Sequence, residues 1–168
     1  QFYGIEINDF AVTVAKTALW ISEDQMMKET EEIIHANIDF LPLKSYANIV
    51  EGNALRMDWE EVIDKNDLNY IMGNPPFVGG MWMTQIQKNE IRNIYGDIKG
   101  VGELDYVTAW YKKAAIIMQK RSNIRTSFVS TNSITQGMHP GIYWKHLVEE
   151  YDVQIIFAYD TFKWNSEA

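Results

Sequence analysis

The chain has 168 residues, 46% of them hydrophobic, which is enough for one core of ordinary size and predicts a single domain. The absence of cysteine excludes a disulfide framework, a zinc–thiolate cluster and a cysteine nucleophile, and the net charge of −8 argues against bulk attraction to nucleic-acid phosphate. No segment suits a bilayer span or a secretion signal, so no membrane association and a cytoplasmic location are expected.

The first half of the chain alternates strand and helix patterns. In chain order it predicts a strand at 2–7, a helix capped by Asn8 or Asp9, a strand at 47–50, a short surface helix at 58–67 and a strand at 68–73. The first helix would bury the face formed by Phe10, Val14, Ala18 and Ile21.

The second half continues the alternation after a glycine-rich stretch. It predicts a long loop at 77–102 with one helical segment at 84–94, a helix at 104–118, a strand at 125–131, a helix starting near Pro140 and a strand at 153–159. In the 104–118 helix, Lys112 and Lys113 fall off the apolar stripe of Leu104, Val107, Tyr111, Ala114 and Met118.

This order of elements predicts an α/β fold with a doubly wound, mostly parallel sheet. Ligands bind such sheets at the carboxyl ends of the strands, where Glu6, Asn53 and the turn N-P-P-F at 74–77 are expected to lie. The chain opens inside a strand and closes without a terminal helix, so we expect a piece of a longer protein, truncated at both ends.

Two of these strand ends carry a polar side chain, and each side chain has two possible roles. The Glu6 carboxylate could accept both hydroxyl groups of a ribose, although a solvated glutamate is the commoner case. The Asn53 amide, after Gly52, could bond an adenine edge, or it could close an Asx turn. The sequence leaves the two readings of Asn53 equally open.

The third strand end, N-P-P-F, points most directly to chemistry. Pro75 biases Asn74 toward an extended backbone, so the Asn74 side-chain oxygen and the Pro75 carbonyl form a pair of acceptors for an exocyclic amino group. Pro76 continues the turn, and Phe77 offers a face on which a planar group can stack. The alternative is a tight proline turn with Phe77 in the core. Gly79 and Gly80 would let the following loop move.

The motifs F-Y-G-I-E-I-N, G-N-A-L and N-P-P-F resemble the second, third and fourth motifs of S-adenosylmethionine-dependent amino methyltransferases that act on DNA adenine, in the gamma order. The later stretches D-Y-V-T-A-W-Y-K-K-A, F-V-S-T-N-S-I-T-Q-G and F-A-Y-D-T-F-K-W-N-S-E-A closely resemble the MmeI-like type IIG branch. Many members of that branch join methyltransferase and endonuclease in one restriction-modification polypeptide.

The resemblance implies that 1–168 is part of a class I, Rossmann-like methyltransferase catalytic domain. The first strand with its glycine-rich motif, the last strands and the target-recognition domain would be missing. Asn74, Pro75, Pro76 and Phe77 would act on an adenine flipped out of double-stranded DNA. The cofactor S-adenosylmethionine would contact Glu6, Ile7, Asn53, Ala54 and Asn74. Phe162 or Trp164 would contact the opposite face of the flipped base.

Two other functions are also compatible with the sequence. A glutamine side chain of a protein also presents an amino group to such a turn, and a degenerate domain could bind DNA or a subunit without catalysis. The histidines His35, His139 and His146 suit surface or cap roles, and no metal is expected. Basic side chains on helix faces are usually only solvated. We therefore predict no phosphate contact for any of the basic residues considered: Lys112, Lys113, Lys120, Arg121, Lys145 and Lys163.

Overall fold

The computed structural model describes residues 2–36, 48–136 and 140–159. They belong to two compact units, Gln1–Leu68 and Asn69–Ala168, each with helices and a pair of parallel strands. Within these ranges no helix combines the length and apolarity that a membrane crossing requires. The predicted residues His139, Phe162, Lys163 and Trp164 lie outside the described residues.

The first unit contains β1 (Gly4–Glu6), α1 (Asp9–Ile34) and β2 (Ile49–Glu51). The strands run parallel, with Glu6 opposite Glu51. Asn8 caps α1 as predicted, because its side-chain oxygen accepts a hydrogen bond from the Ala11 N–H at 3.0 Å. His35 ends the helix in the left-handed region, which confirms a cap role for this histidine. The helix predicted at 58–67 is only a 3₁₀ turn, Trp59–Glu61.

The apolar face predicted for α1 is not buried. Val12 is the buried side chain of this helix, whereas Phe10, Val14, Ala18 and Ile21 are all exposed. The prediction was wrong because periodicity shows which face a helix could bury but not whether a partner covers it. In this unit α1 packs on two strands of three residues each, which offer little surface to cover it.

The second unit contains β3 (Tyr70–Gly73), α2 (Gln85–Tyr95), α3 (Thr108–Lys120), β4 (Arg125–Phe128) and α4 (Pro140–Tyr151). Strands β3 and β4 pair in parallel, with Gly73 opposite Phe128. The core of the unit includes side chains with at most 1% of their surface exposed: Ile91, Leu104, Val107, Ala109, Ala114, Ala115, Ile124, Tyr143 and Leu147. Helix α3 is shorter than predicted, since Leu104 and Val107 precede it.

Lys112 lies inside this core, contrary to the prediction that it is off the apolar stripe. Its side chain is only 3% exposed, its ammonium group bonds the Nε2 atom of His146, and it lies 3.9 Å from the centre of the Tyr151 ring. His146 is buried as well, and its Nδ1 lies 2.6 Å from the Glu150 carboxylate. The surface or cap role predicted for His146 was therefore wrong. A hydrogen-bond acceptor and an aromatic face make a buried ammonium tolerable.

The parallel strands and the alternation with helices are as predicted, but a single doubly wound sheet is not what the described residues form. They form two separate sheets of two strands, β1–β2 and β3–β4. The strand predicted at 153–159 is wrong: within the described residues this stretch pairs with no strand, and Ile155, Ile156 and Phe157 are exposed. A run of apolar residues makes a strand only where another backbone accepts its hydrogen bonds.

Candidate functional site

The N-P-P-F turn follows directly from the end of β3. The Gly73 carbonyl accepts the last ladder hydrogen bond, from the Val129 N–H at 3.1 Å, and the prolines that follow have no N–H to continue the ladder. Pro75 is buried and anchors the turn, while Asn74 is exposed. In the described part of the chain, no group donates a hydrogen bond to the Asn74 side chain or to the Pro75 carbonyl. Neither of the two predicted acceptors is therefore occupied by a described group.

Phe77 is not a core residue, since 46% of its surface is exposed. Its ring forms one wall of a cavity of about 250 Å³ in the second unit. The remaining lining comes from the chain after the turn, from the start of α3 and from the segment after β4: Val78, Gly79, Asp105, Val107, Thr131 and Ser133. An aromatic face with a few polar groups opposite it suits a small planar ligand.

The polar side of the cavity has hydrogen-bonding capacity to spare. Thr131 Oγ1 and Ser133 Oγ lie 2.6 Å apart and share one hydrogen bond, so one of the two hydroxyl hydrogens remains for a ligand. The strand end before them is fixed by Tyr111, whose phenol lies 2.7 Å from Ser130 Oγ. Burial raises the pKa of Tyr111 above its usual value, so the phenol stays protonated at neutral pH.

The backbone after Phe77 is held against the segment that precedes α3. The Val78 carbonyl accepts from the Tyr106 N–H at 2.9 Å, and the Gly80 N–H donates to Asp105 Oδ1 at 3.2 Å. A Cβ atom on Gly80 would lie 2.4 Å from the Glu103 carbonyl oxygen. Gly80 thus serves close packing of two backbone segments, and the mobility expected of the glycine pair stays a prediction.

In the first unit, β1 and β2 bring their strand ends to one edge. The Glu6 carbonyl accepts from the Gly52 N–H at 2.8 Å, which places Asn53 beside the end of β1. Glu6 Oε1 accepts from the Asn8 N–H at 3.0 Å, and Ile7 is exposed. One carboxylate oxygen of Glu6 therefore remains for a ligand among the residues described.

The Asx turn that the sequence allowed at Asn53 is present. Its side-chain oxygen accepts from the Leu55 N–H at 2.9 Å, and the Ala54 carbonyl accepts from Trp59 Nε1 at 2.8 Å. The Met57 side chain packs against Gly52. A contact of Asn53 with adenine remains a prediction.

Sequence reasoning missed Asp105, Thr131, Ser133 and Tyr111 as parts of the second unit's site. The available signal was the position of the polar runs E-L-D and S-T-N-S, directly before a helix and directly after a strand. In the ranges that the structure covers, no group of three or more histidine, aspartate or glutamate side chains could hold a metal ion.

Two acceptors without a hydrogen-bond donor, at the end of a parallel strand and beside an aromatic-walled cavity, form the arrangement expected of an enzyme that modifies an amino group. The chain belongs to the MmeI DNA-methyltransferase domain family, whose sequence profile matches residues 1–168. This finding agrees with the family resemblance of its motifs.

Two relatives extend over the whole chain. DNA methyltransferase A of Bacillus subtilis (strain 168) is 40% identical over an aligned stretch of 171 residues, which covers 100% of this chain and 19% of that protein. A solved structure of the type IIL restriction-modification enzyme MmeI in complex with DNA superposes with a TM-score of 0.92 at 42% identity, covering 100% of this chain and 22% of the other. The chain thus spans about a fifth of the length of the relatives it matches.

Proposed function

We propose that this chain is the catalytic part of a larger restriction-modification protein and transfers a methyl group from S-adenosylmethionine to the N6 amino group of adenine in double-stranded DNA. The observation that carries the proposal is the pair of unoccupied acceptors, the Asn74 side-chain oxygen and the Pro75 carbonyl, beside the Phe77 wall of the cavity. The family and the DNA complex of the related MmeI support it.

The amino group needs two acceptors because it carries two hydrogens. Asn74 and Pro75 each accept one, which turns the nitrogen lone pair toward the methyl donor and stabilises the positive charge that develops on nitrogen. The target base must leave the duplex to reach them, and it stacks on Phe77. The spare hydroxyl hydrogen of Thr131 or Ser133 is donated to a ring nitrogen of the adenine.

When bound, the cofactor would supply a sulfonium methyl group: the N–C bond would form as the S–C bond breaks, with a neutral thioether as the leaving group and the N6 proton lost to water. The residues of the first unit fit its nucleoside part. The second oxygen of Glu6 suits a ribose hydroxyl, and the exposed Ile7 offers an apolar surface to the adenine ring. Asn53 and Ala54 lie at the same edge of the first unit, and the contact of Asn74 with the cofactor stays a prediction.

The test is Asn74→Ala in the full-length protein, with tritiated methyl incorporation into a duplex that contains the recognition site. Loss of one acceptor should lower kcat by about 100-fold or more, while DNA binding in a gel-shift assay stays within twofold. Asn93→Ala, at an exposed asparagine of α2, is the matched control and should turn over normally. Wild-type turnover by Asn74→Ala would refute the proposed role.

Two measurements test the alternative functions, protein methylation and a non-catalytic module. A glutamine-containing peptide offered in place of the duplex tests protein methylation, and we expect no incorporation into it. Titration calorimetry with S-adenosylmethionine tests whether the domain is a non-catalytic module, and absence of binding by the full-length protein would support that module.

A further inference from the structure

Two large apolar side chains project into water just beyond the cavity. Residues Gly80–Trp82 form a 3₁₀ turn, closed by the Trp82 N–H, which donates to the Gly79 carbonyl at 2.8 Å. Met81 is 89% exposed and Trp82 is 82% exposed, the highest fractions among the large apolar side chains that the structure describes. Exposing both is unfavourable in water, and such exposure commonly marks a contact surface.

The turn is anchored at both ends, so the two side chains cannot simply fold back into the unit. On one side Gly80 is packed against the Glu103 backbone and bonded to Asp105. On the other side Met83 is buried, and Thr84 starts α2 with a capping box. Met81 and Trp82 are the part of the segment between these anchors that points outward. We call these two residues the apolar tip.

The apolar tip is continuous with the proposed base site. Gly79 both lines the cavity and accepts the hydrogen bond that closes the turn. Four residues lead from Phe77 to Met81, so their Cα atoms are at most about 14 Å apart. This upper limit is comparable with the width of the DNA major groove, about 12 Å. A duplex that delivers a base to Phe77 therefore comes within reach of the tip.

We propose that the apolar tip contacts the DNA at the target base pair and fills the space in the base stack that the flipped adenine leaves. This inference rests on the proposed function. Extruding a base costs free energy because stacking and pairing are lost, and apolar wedges such as Met inserted between bases offset that cost in other DNA-binding proteins. The Trp82 indole adds a face on which the orphaned partner base can stack.

Positive charge near the apolar tip favours nucleic acid as the partner, rather than an apolar protein surface. Lys88 and Arg92 lie on α2, which begins three residues after Trp82, and neither forms an ion pair with any residue described here. Cations on the helix that follows the tip suit phosphate groups that flank the target base.

The experiment compares Trp82→Ala with wild type in the full-length protein on two duplexes. One has a normal adenine–thymine target pair, and the other has an abasic site opposite the target adenine, which removes most of the cost of flipping. We expect kcat/KM to fall at least 10-fold on the paired duplex and to stay within about threefold of wild type on the abasic duplex. With 2-aminopurine at the target position, Trp82→Ala should show a smaller fluorescence increase on binding.

Two further variants make the result decisive. Trp82→Phe keeps a stacking ring and should retain most activity on both duplexes. Tyr70→Ala removes a 70% exposed aromatic ring at the opposite end of β3 and should behave as wild type. Equal loss by Trp82→Ala on both duplexes, or no loss on either, would overturn the inference. A wild-type protein that methylates neither duplex would instead refute the proposed function.

Discussion

At the scale of single residues, the two prolines explain why the acceptors at the site remain open. The Gly73 carbonyl is already bonded by the Val129 N–H, as a normal ladder position is. One residue further, Pro75 and Pro76 bring no donor that could occupy a neighbouring oxygen. The Asn74 side-chain oxygen and the Pro75 carbonyl therefore stay unoccupied because neither proline has an N–H group. Any other residue at 75 or 76 would add a backbone donor next to them.

Gly80 and Gly79 form a natural pair for a substitution test. A Cβ on Gly80 would strike the Glu103 backbone, whereas one on Gly79 would make ordinary contacts, the nearest at 3.5 Å. We expect Gly80→Ala to lower the free energy of unfolding by about 1–3 kcal/mol and Gly79→Ala to change it by less than about 1 kcal/mol. Urea unfolding followed by circular dichroism measures both. Equal effects would show that the packing at Gly80 is not tight.

Lys112 shows why some residue-scale features are invisible in a sequence. Its position on a helical wheel placed it off the apolar stripe, and that position was computed from its own helix alone. The groups that make its burial acceptable, Tyr151 and His146, come from α4. Nothing local to α3 indicates that a second helix will bring an acceptor and a ring to the same point.

At the scale of elements, helix α2 is the best-defined piece that leads away from the site. Thr84 Oγ1 accepts from the Gln87 N–H, and Gln87 Oε1 accepts from the Thr84 N–H at 2.9 Å, a complete capping box. The helix then buries Glu90, Ile91 and Tyr95. Its first residue is therefore fixed both by its cap and by its core face.

Removal of this cap should cost stability without disturbing the core. We expect Thr84→Ala to lower the free energy of unfolding by about 1 kcal/mol, because the Gln87 N–H loses its partner. Thr84→Ser keeps the hydroxyl and should stay close to wild type. The midpoint of a urea transition measures the difference. Identical midpoints for the two variants would mean that the capping box contributes nothing to stability.

Elements with local start signals could be predicted from the sequence, and elements that need a distant partner could not. The starts of α1 and α2 follow from Asn8 and from the pair Thr84 and Gln87, which act within one turn of the helix. The stretch 153–159 has the β-branched and aromatic residues of a strand but no described strand beside it. Propensity specifies a backbone that can pair, and pairing itself depends on the rest of the fold.

At the scale of the whole molecule, the predicted site residues lie at strand ends in both units. Glu6, Ile7, Asn53 and Ala54 gather at the strand ends of the first unit, and the N-P-P-F turn stands at the strand end of the second. The placement of these residues at strand ends within each unit could be predicted, because parallel strands put their carboxyl ends at one edge of a sheet. Their division between two units was not predicted. The cavity's polar lining could not, since Asp105 and Thr131 come together only through the packing of α3 and β4.

Buried tyrosines should make the second unit sensitive to alkali. Burial raises the pKa values of Tyr95, Tyr111 and Tyr143 above the usual value of about 10. The folded chain then holds phenol protons that the unfolded chain releases, so this stabilisation is complete below about pH 10 and declines as pH rises further. Urea midpoints measured from pH 8 to pH 11 should fall above pH 10, and Tyr95→Phe should make that fall shallower. A flat profile would contradict it.

The parallel pairing of β3 with β4 also bears on how the site is assembled in time. A parallel ladder cannot form through a hairpin, and here both α2 and α3 lie in the chain between the two strands. Closing such a long connection is slow compared with forming either helix. We expect the helices to be present before Gly73 meets Phe128, so the turn that carries Asn74 would reach its final geometry among the last steps of folding.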